Sequence, residues 1–283
     1  MKKKSLLLCI SATIFATALG LTYLKNKRAK EKEMEKENYL NLFSKIVIIG
    51  GGTAGLSIAS KLSNELKLPD ITIIEPSEYH FYQPAWTLVG GGAYNPDDTV
   101  RAEKNLIPKN VTWIKDSVTE IFPESNYLLT SDKVIKYDYL IVAPGLQLNF
   151  NKIKGLDNEL GKNGICSIYT LESAKKTWEM FQNFSGGTAI FTFPNTPVKC
   201  GGAGQKIMYL FDSYIRKKGL RNISEIIYTS PGNKIFGIEG YRQTIEKVVD
   251  KKGITTRFNH TLIEIRPDKK EAVFLLKKKK EVN

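Results

Sequence analysis

The chain has 283 residues, 42% of them hydrophobic and 25% charged, so most of it can fold and its length suits two domains plus a leader. The balance of 42 Lys and Arg against 29 Asp and Glu gives a net charge of +13, which attracts anionic partners. No basic run interleaved with aromatics and no zinc-finger spacing occurs, so no nucleic-acid partner is expected.

Much of the positive charge lies towards the ends, in Lys2, Lys3 and Lys4, then Lys25, Lys27, Arg28 and Lys30, and finally residues 277–280. That distribution suits an anionic membrane surface. With two histidines and three widely spaced cysteines (Cys9, Cys166 and Cys200), neither a metal centre nor a disulfide framework is expected. No G-x-S-x-G elbow is present either.

Residues 1–44 read as an apolar leader with a charged linker. Residues 6–24 carry no charge and approach the roughly 20 residues that a span needs. A membrane anchor, a secretory signal peptide and a mitochondrial presequence all remain open. The length favours the anchor, because a signal peptide has a shorter apolar core and a transit peptide is amphipathic and Arg-rich.

From Lys45 the pattern changes to α/β alternation. Lys45-Ile-Val-Ile-Ile-Gly50 reads as a buried parallel strand, residues 56–62 as a helix and residues 71–75 as the next strand. Short strands follow at 111–115, 117–121 and 139–143. A second alternation has a strand at 188–193, a helix at 205–217, a strand at 225–228, a helix at 241–251 and a strand at 254–258. Two α/β units in series result, here divided into residues 45–165 and 166–283.

Gly50-Gly-Gly-Thr-Ala-Gly55 fits G-x-G-x-x-G at the end of an apolar strand and the start of a helix, with Glu75 closing the next strand. That context marks a dinucleotide site. Gly50 permits the tight turn, Gly52 lets the backbone approach a pyrophosphate, and Gly55 lets helix and strand pack closely. Glu75 can accept hydrogen bonds from ribose hydroxyls. The second alternation carries no such fingerprint after its first strand. Its turn runs Pro194-Asn-Thr-Pro-Val-Lys-Cys-Gly-Gly-Ala-Gly204, which leaves a nicotinamide cofactor without an evident site.

Residues 136–145 resemble the downstream flavin-domain motif of flavoproteins with two dinucleotide-binding domains. They therefore favour FAD and add Gly145 to the cofactor-binding residues. Pro144 stands where that motif usually has Thr, at the cost of a hydroxyl and a backbone donor.

Two further stretches, Tyr79-His-Phe-Tyr-Gln-Pro-Ala-Trp-Thr-Leu-Val-Gly90 and Phe191-Thr-Phe-Pro-Asn-Thr-Pro-Val-Lys-Cys-Gly201, resemble the mitochondrial-type sulfide:quinone oxidoreductases. The resemblance runs from about Lys45 to about Leu276. It implies a two-Rossmann flavoprotein fold with Cys200 forming a persulfide. Thr53 and Ala54 then lie on the phosphates, Glu75 on the ribose, Gln83 near the flavin and Val118 at the adenine through its backbone.

In that family sulfide opens a cysteine disulfide, the persulfide sulfur leaves on a small acceptor, and electrons pass through FAD to ubiquinone at the inner mitochondrial membrane. The family pattern continues with a Gly-Asp flavin motif, a second redox cysteine and amphipathic helices beyond the point reached here. An incomplete FAD domain, inactive in quinone reduction, is therefore expected of these 283 residues. The alternatives are an NADH:quinone oxidoreductase-like enzyme and a non-catalytic, membrane-tethered nucleotide-binding protein.

On the residues alone, Lys199 beside Cys200 and the helix that follows would both lower the thiol's pKa. A lone cysteine is otherwise commonly a small buried hydrophobe. Cys166 has no electropositive neighbour in sequence and reads as a packing residue. His80 could move a proton near the flavin, but a histidine in an aromatic loop is more often a hydrogen-bonded structural residue.

Overall fold

The computed structural model describes residues 24–29, 44–67 and 69–277. Apart from Leu24, the apolar segment 6–24 lies outside the described residues, among which no helix is long and apolar enough to cross a membrane.

The chain divides by contact into two interleaved compact units. The first takes the chain up to Glu78 and again Ala102–Pro144, and the second takes Tyr79–Arg101 and the chain from Gly145 onward.

In the first unit, β1 (Lys45–Ile49) leads through a glycine turn into α1 (Thr53–Glu65) and then β2 (Asp70–Ile74). The chain next supplies β3 (Tyr79–Phe81), the short helix α2 (Trp86–Gly90) and β4 (Val100–Ala102), where Tyr82 N donates to Thr99 O at 2.8 Å. It then forms β5 (Val111–Ile114), the antiparallel meander of β6 (Glu120–Phe122), β7 (Tyr127–Leu129) and β8 (Val134–Lys136), and β9 (Tyr139–Val142). The expected strand at 117–121 starts only at Glu120, because the backbone turns at Asp116, whose Oδ1 accepts from Ser117 N at 2.7 Å.

The parallel sheet of the first unit has the order β5-β2-β1-β9. Successive side chains of a strand point to opposite faces, so a strand apolar at every position must be covered on both. That is the case for β1. Ile46 and Ile48 pack with Ala59, Leu56 and Leu62 of α1, whereas Val47 and Ile49 pack with Leu128 and Ile135 of the meander.

The second unit continues with α3 (Leu171–Asn183), β10 (Gly187–Thr192), α4 (Ala203–Lys217), β11 (Ser224–Ser230), α5 (Glu239–Lys252) and β12 (Thr255–Phe258). A hairpin of β13 (His260–Arg266) and β14 (Glu271–Leu276) follows, with a register shift between Leu262 and Glu264. Strands β10, β11 and β12 form a parallel sheet in that order. Helix α3, absent from the sequence expectations, opens with a capping box between Thr170 and Ser173.

Its Phe181 stacks edge-on to Phe211 of α4 at 4.8 Å, in a core that includes Met208, Ile215, Ile226 and Tyr228. The fully buried Asp212 of α4 draws in Arg216 (2.9 Å), Arg221 (3.2 Å) and Lys252 (2.7 Å), which ties α4 to the end of α5. Burial raises the pKa of its carboxyl, but the bonds from Arg216 and Lys252 outweigh that and leave it below the ordinary value.

Candidate nucleotide turn and redox cysteine

The glycine turn is built by close approaches that only glycine allows. Gly50 takes φ +100° and its N donates to Ile74 O at 2.8 Å, while a Cβ there would stand 2.2 Å from Ala143 O. A Cβ on Gly55 would stand 1.8 Å from Gly50 O, so this buried glycine lets the first turn of α1 lie on the end of β1.

Gly52 is the opposite case: a Cβ would meet nothing within 4 Å, and the residue caps α1 in extended conformation without a side-chain hydrogen bond. Thr53 and Ala54 follow it, exposed, at the helix N-terminus. Open space above first-turn amides is the arrangement that takes a phosphate.

Glu75 is fixed beside this turn. Its Oε2 accepts from Gly51 N at 2.7 Å and its Oε1 from Ser77 N at 2.8 Å, while Trp113 Nε1 donates to its carbonyl at 2.9 Å.

Sequence reasoning missed Glu103, whose carboxyl lies against the same turn. A Cβ on Gly51 would stand 2.4 Å from Glu103 Oε1 and 2.7 Å from Glu75 Cγ. Glu103 is only 1% exposed, and burial together with the Glu75 charge pushes its pKa up to about 7. No motif surrounds it, so nothing local announces it.

Val118, also in this unit, is half-buried and packs against the core that holds Leu128 and Ile135 of the meander. Gly145, just past the unit's end, has φ +79° with no atom within 4 Å of a Cβ.

In the second unit Cys200 is exposed on the turn between β10 and α4, and its carbonyl accepts from Ala203 N at 3.2 Å. Its neighbour Lys199 donates to Gln83 Oε1, and the ammonium lies 5.3 Å from the ring centroids of both Trp86 and Tyr169. The charge that the sequence placed beside the thiol is thus engaged by an amide and two rings. Burial lowers the pKa of Lys199 accordingly. Trp86 Nε1 is buried without an acceptor among the described residues.

Cys166 lies half-buried, and burial pushes its thiol pKa up, with a smaller opposing bond from Thr177. Both cysteines are free thiols, and no group of residues able to hold a metal ion occurs among the described residues.

Residues 44–179 match the pyridine nucleotide-disulphide oxidoreductase family model. The mitochondrial sulfide:quinone oxidoreductase of Dictyostelium discoideum is 49% identical over 245 residues, which is 86% of this chain and 54% of that protein. The Mus musculus protein of the same name is 44% identical over 81% of this chain and 51% of its own length. The chain is a homologue of the sulfide:quinone oxidoreductases.

A solved sulfide:quinone oxidoreductase from Aquifex aeolicus superposes with a TM-score of 0.69 and 25% identity, covering 82% of this chain and 56% of the other. The α/β flavoprotein fold expected from the resemblance is therefore the fold of this homologue, and its family is FAD-binding. The chain spans about half the length of the curated relatives it matches.

Proposed function

We propose that the chain carries the flavin-binding turn and the sulfur-carrying cysteine of a mitochondrial, FAD-dependent sulfide:quinone oxidoreductase. The observation that carries this reading is the exposed Cys200, on a glycine-rich turn at the start of α4, in a chain 49% identical to a curated enzyme of that activity.

The residues of the first unit fit FAD. Open space at Gly52, the amides of Thr53 and Ala54, and a Glu75 already held beside the turn suit a pyrophosphate and its ribose. Gly50 and Gly55 shape the turn, and the family resemblance adds Val118, Gly145 and Gln83 to the residues that would hold the cofactor. Bound there, FAD would supply the two-electron redox chemistry between sulfide oxidation and ubiquinone reduction.

The protein's own part is thiol chemistry. Hydrosulfide attacks the disulfide that Cys200 would form with the family's second redox cysteine; the S–S bond breaks, that second cysteine leaves as thiolate, and Cys200 holds the added sulfur as a persulfide. A small thiol or other sulfur acceptor then removes that sulfur. Turnover takes place at the inner mitochondrial membrane surface, where ubiquinone is available. The turn from Pro194 to Gly204 lacks a dinucleotide fingerprint, which argues against an NADH-dependent relative.

Flavin fluorescence and absorbance titrations with the purified chain test the cofactor assignment, and FAD uptake without NAD binding is the expected result. Incubation of oxidised protein with sulfide, followed by mass spectrometry of the Cys200 peptide, tests the chemistry. A mass increase of one sulfur, lost in Cys200→Ser, is expected. Equal persulfide formation on other peptides in that variant would overturn the assignment.

A further inference from the structure

The turn that bears Cys200 has little in its own covalent structure to fix the sulfur. Gly201 and Gly202 follow the cysteine, and a Cβ on either would meet nothing within 4 Å, so neither is wedged by neighbours. Before it, residues 193–200 form no helix or strand. One backbone bond, from Ala203 N to Cys200 O, secures the helix side.

On the other side Phe193 packs against the core and its N donates to Thr229 O at 2.9 Å, while next to the cysteine it is Lys199 that is attached. Its ammonium meets three groups from two distant stretches of the same unit. Gln83 Oε1 accepts its hydrogen bond, and the rings of Trp86 and Tyr169 flank it at 5.3 Å each.

The seat itself is firm. Trp86 is buried and packs with Val89 and Ala174, with Phe81 and Leu171 around them. Tyr169 immediately precedes Thr170, whose capping box anchors α3. The thiol is borne by the residue that directly follows the lysine held in this seat.

We infer that Lys199 is a positioning residue for Cys200, mooring the cysteine turn to Gln83, Trp86 and Tyr169 and thereby fixing where the sulfur is presented. The inference rests on the reading of Cys200 as the sulfur carrier. It assigns Lys199 a geometric task instead of the electrostatic one that its sequence position suggests. Arg can perform the same task, since it also bonds an amide and stacks on aromatic faces, whereas Met keeps the stem and loses both contacts.

The test is alkylation of Cys200 by iodoacetamide, a neutral reagent, measured by mass spectrometry across a pH series. It uses the full chain and its Lys199→Met, Lys199→Arg and Gln83→Ala variants. The pH-independent rate reports how freely the sulfur is presented, and the midpoint reports the electrostatics around it.

The expected result is a several-fold faster limiting rate in Lys199→Met at an unmoved midpoint, restored by Lys199→Arg, with a smaller rise in Gln83→Ala. An unchanged limiting rate in Lys199→Met overturns the inference, as does a displaced midpoint that Lys199→Arg restores. Should Lys199→Met fail to fold, Gln83→Ala decides alone, because Gln83 is exposed and its loss leaves the Trp86 core intact. A raised rate then supports the mooring and an unchanged rate removes it. Turnover plays no part in this readout, so it can fail while persulfide formation on Cys200 stands, and the reverse.

Discussion

Glu103 offers a sharp test of how the nucleotide turn is stabilised before any cofactor arrives. Its carboxyl is almost fully buried against Gly51 and near Glu75, and its pKa moves from the ordinary 4.5 up to about 7. A group whose pKa is raised in the folded state costs stability once it ionises. Below pH 4.5 the carboxyl is protonated in both states, and the cost is absent. Between 4.5 and about 7 the folded chain holds a proton that the unfolded chain has released, so stability falls as pH rises. Above 7 the full penalty applies, about 3 kcal/mol at ~1.4 kcal/mol per pH unit.

Glu103→Gln keeps the shape and removes the ionisation. Relative to the parent, its stability should gain little near pH 4.5 and approach about 3 kcal/mol at pH 8. Urea unfolding followed by tryptophan fluorescence reads this as a midpoint higher by about 1 M at pH 8, given an m-value of about 3 kcal/mol/M. A gap of the same size at acid and at alkaline pH, or a variant less stable than the parent at pH 8, would refute the argument.

Gly55→Ala should abolish FAD uptake in the fluorescence titration, because its Cβ would stand 1.8 Å from Gly50 O and the turn cannot close around it. Asp212→Asn should destabilise the second unit by about 3–5 kcal/mol, since it leaves Arg216, Arg221 and Lys252 around an uncharged buried group. The parent's own contribution from this carboxylate should fade as pH falls below the ordinary aspartate range, because its pKa is depressed on folding; chemical denaturation of parent and variant at neutral and acid pH checks both statements. Thr170→Ala should lower stability by about 1 kcal/mol through loss of the α3 capping box, visible as a lower thermal midpoint by circular dichroism.

The sequence by itself determined the glycine turn between β1 and α1. Its signal is local: an apolar run from Lys45 to Ile49, glycines at fixed offsets, a helical period and Glu75 at the next strand end all fall within one βαβ unit. The strand–turn–helix that carries Cys200 was legible for the same reason, as were β11, α5 and β12.

Tertiary structure alone decided what crosses long stretches of chain. Residues 79–101 join the second unit although first-unit strands flank them in sequence. Glu103 enters the turn from a segment with no motif of its own, held there by its backbone bond to Glu78 O. Lys199 finds Gln83 116 residues away.

The apolar faces of β1 show the same division. Their alternation was readable, but that α1 covers one face and the β6–β8 meander the other depends on where distant strands pair. Periodicity and turn chemistry record what neighbouring residues require of one another. A contact between distant residues leaves no period in the chain, and only packing reveals it.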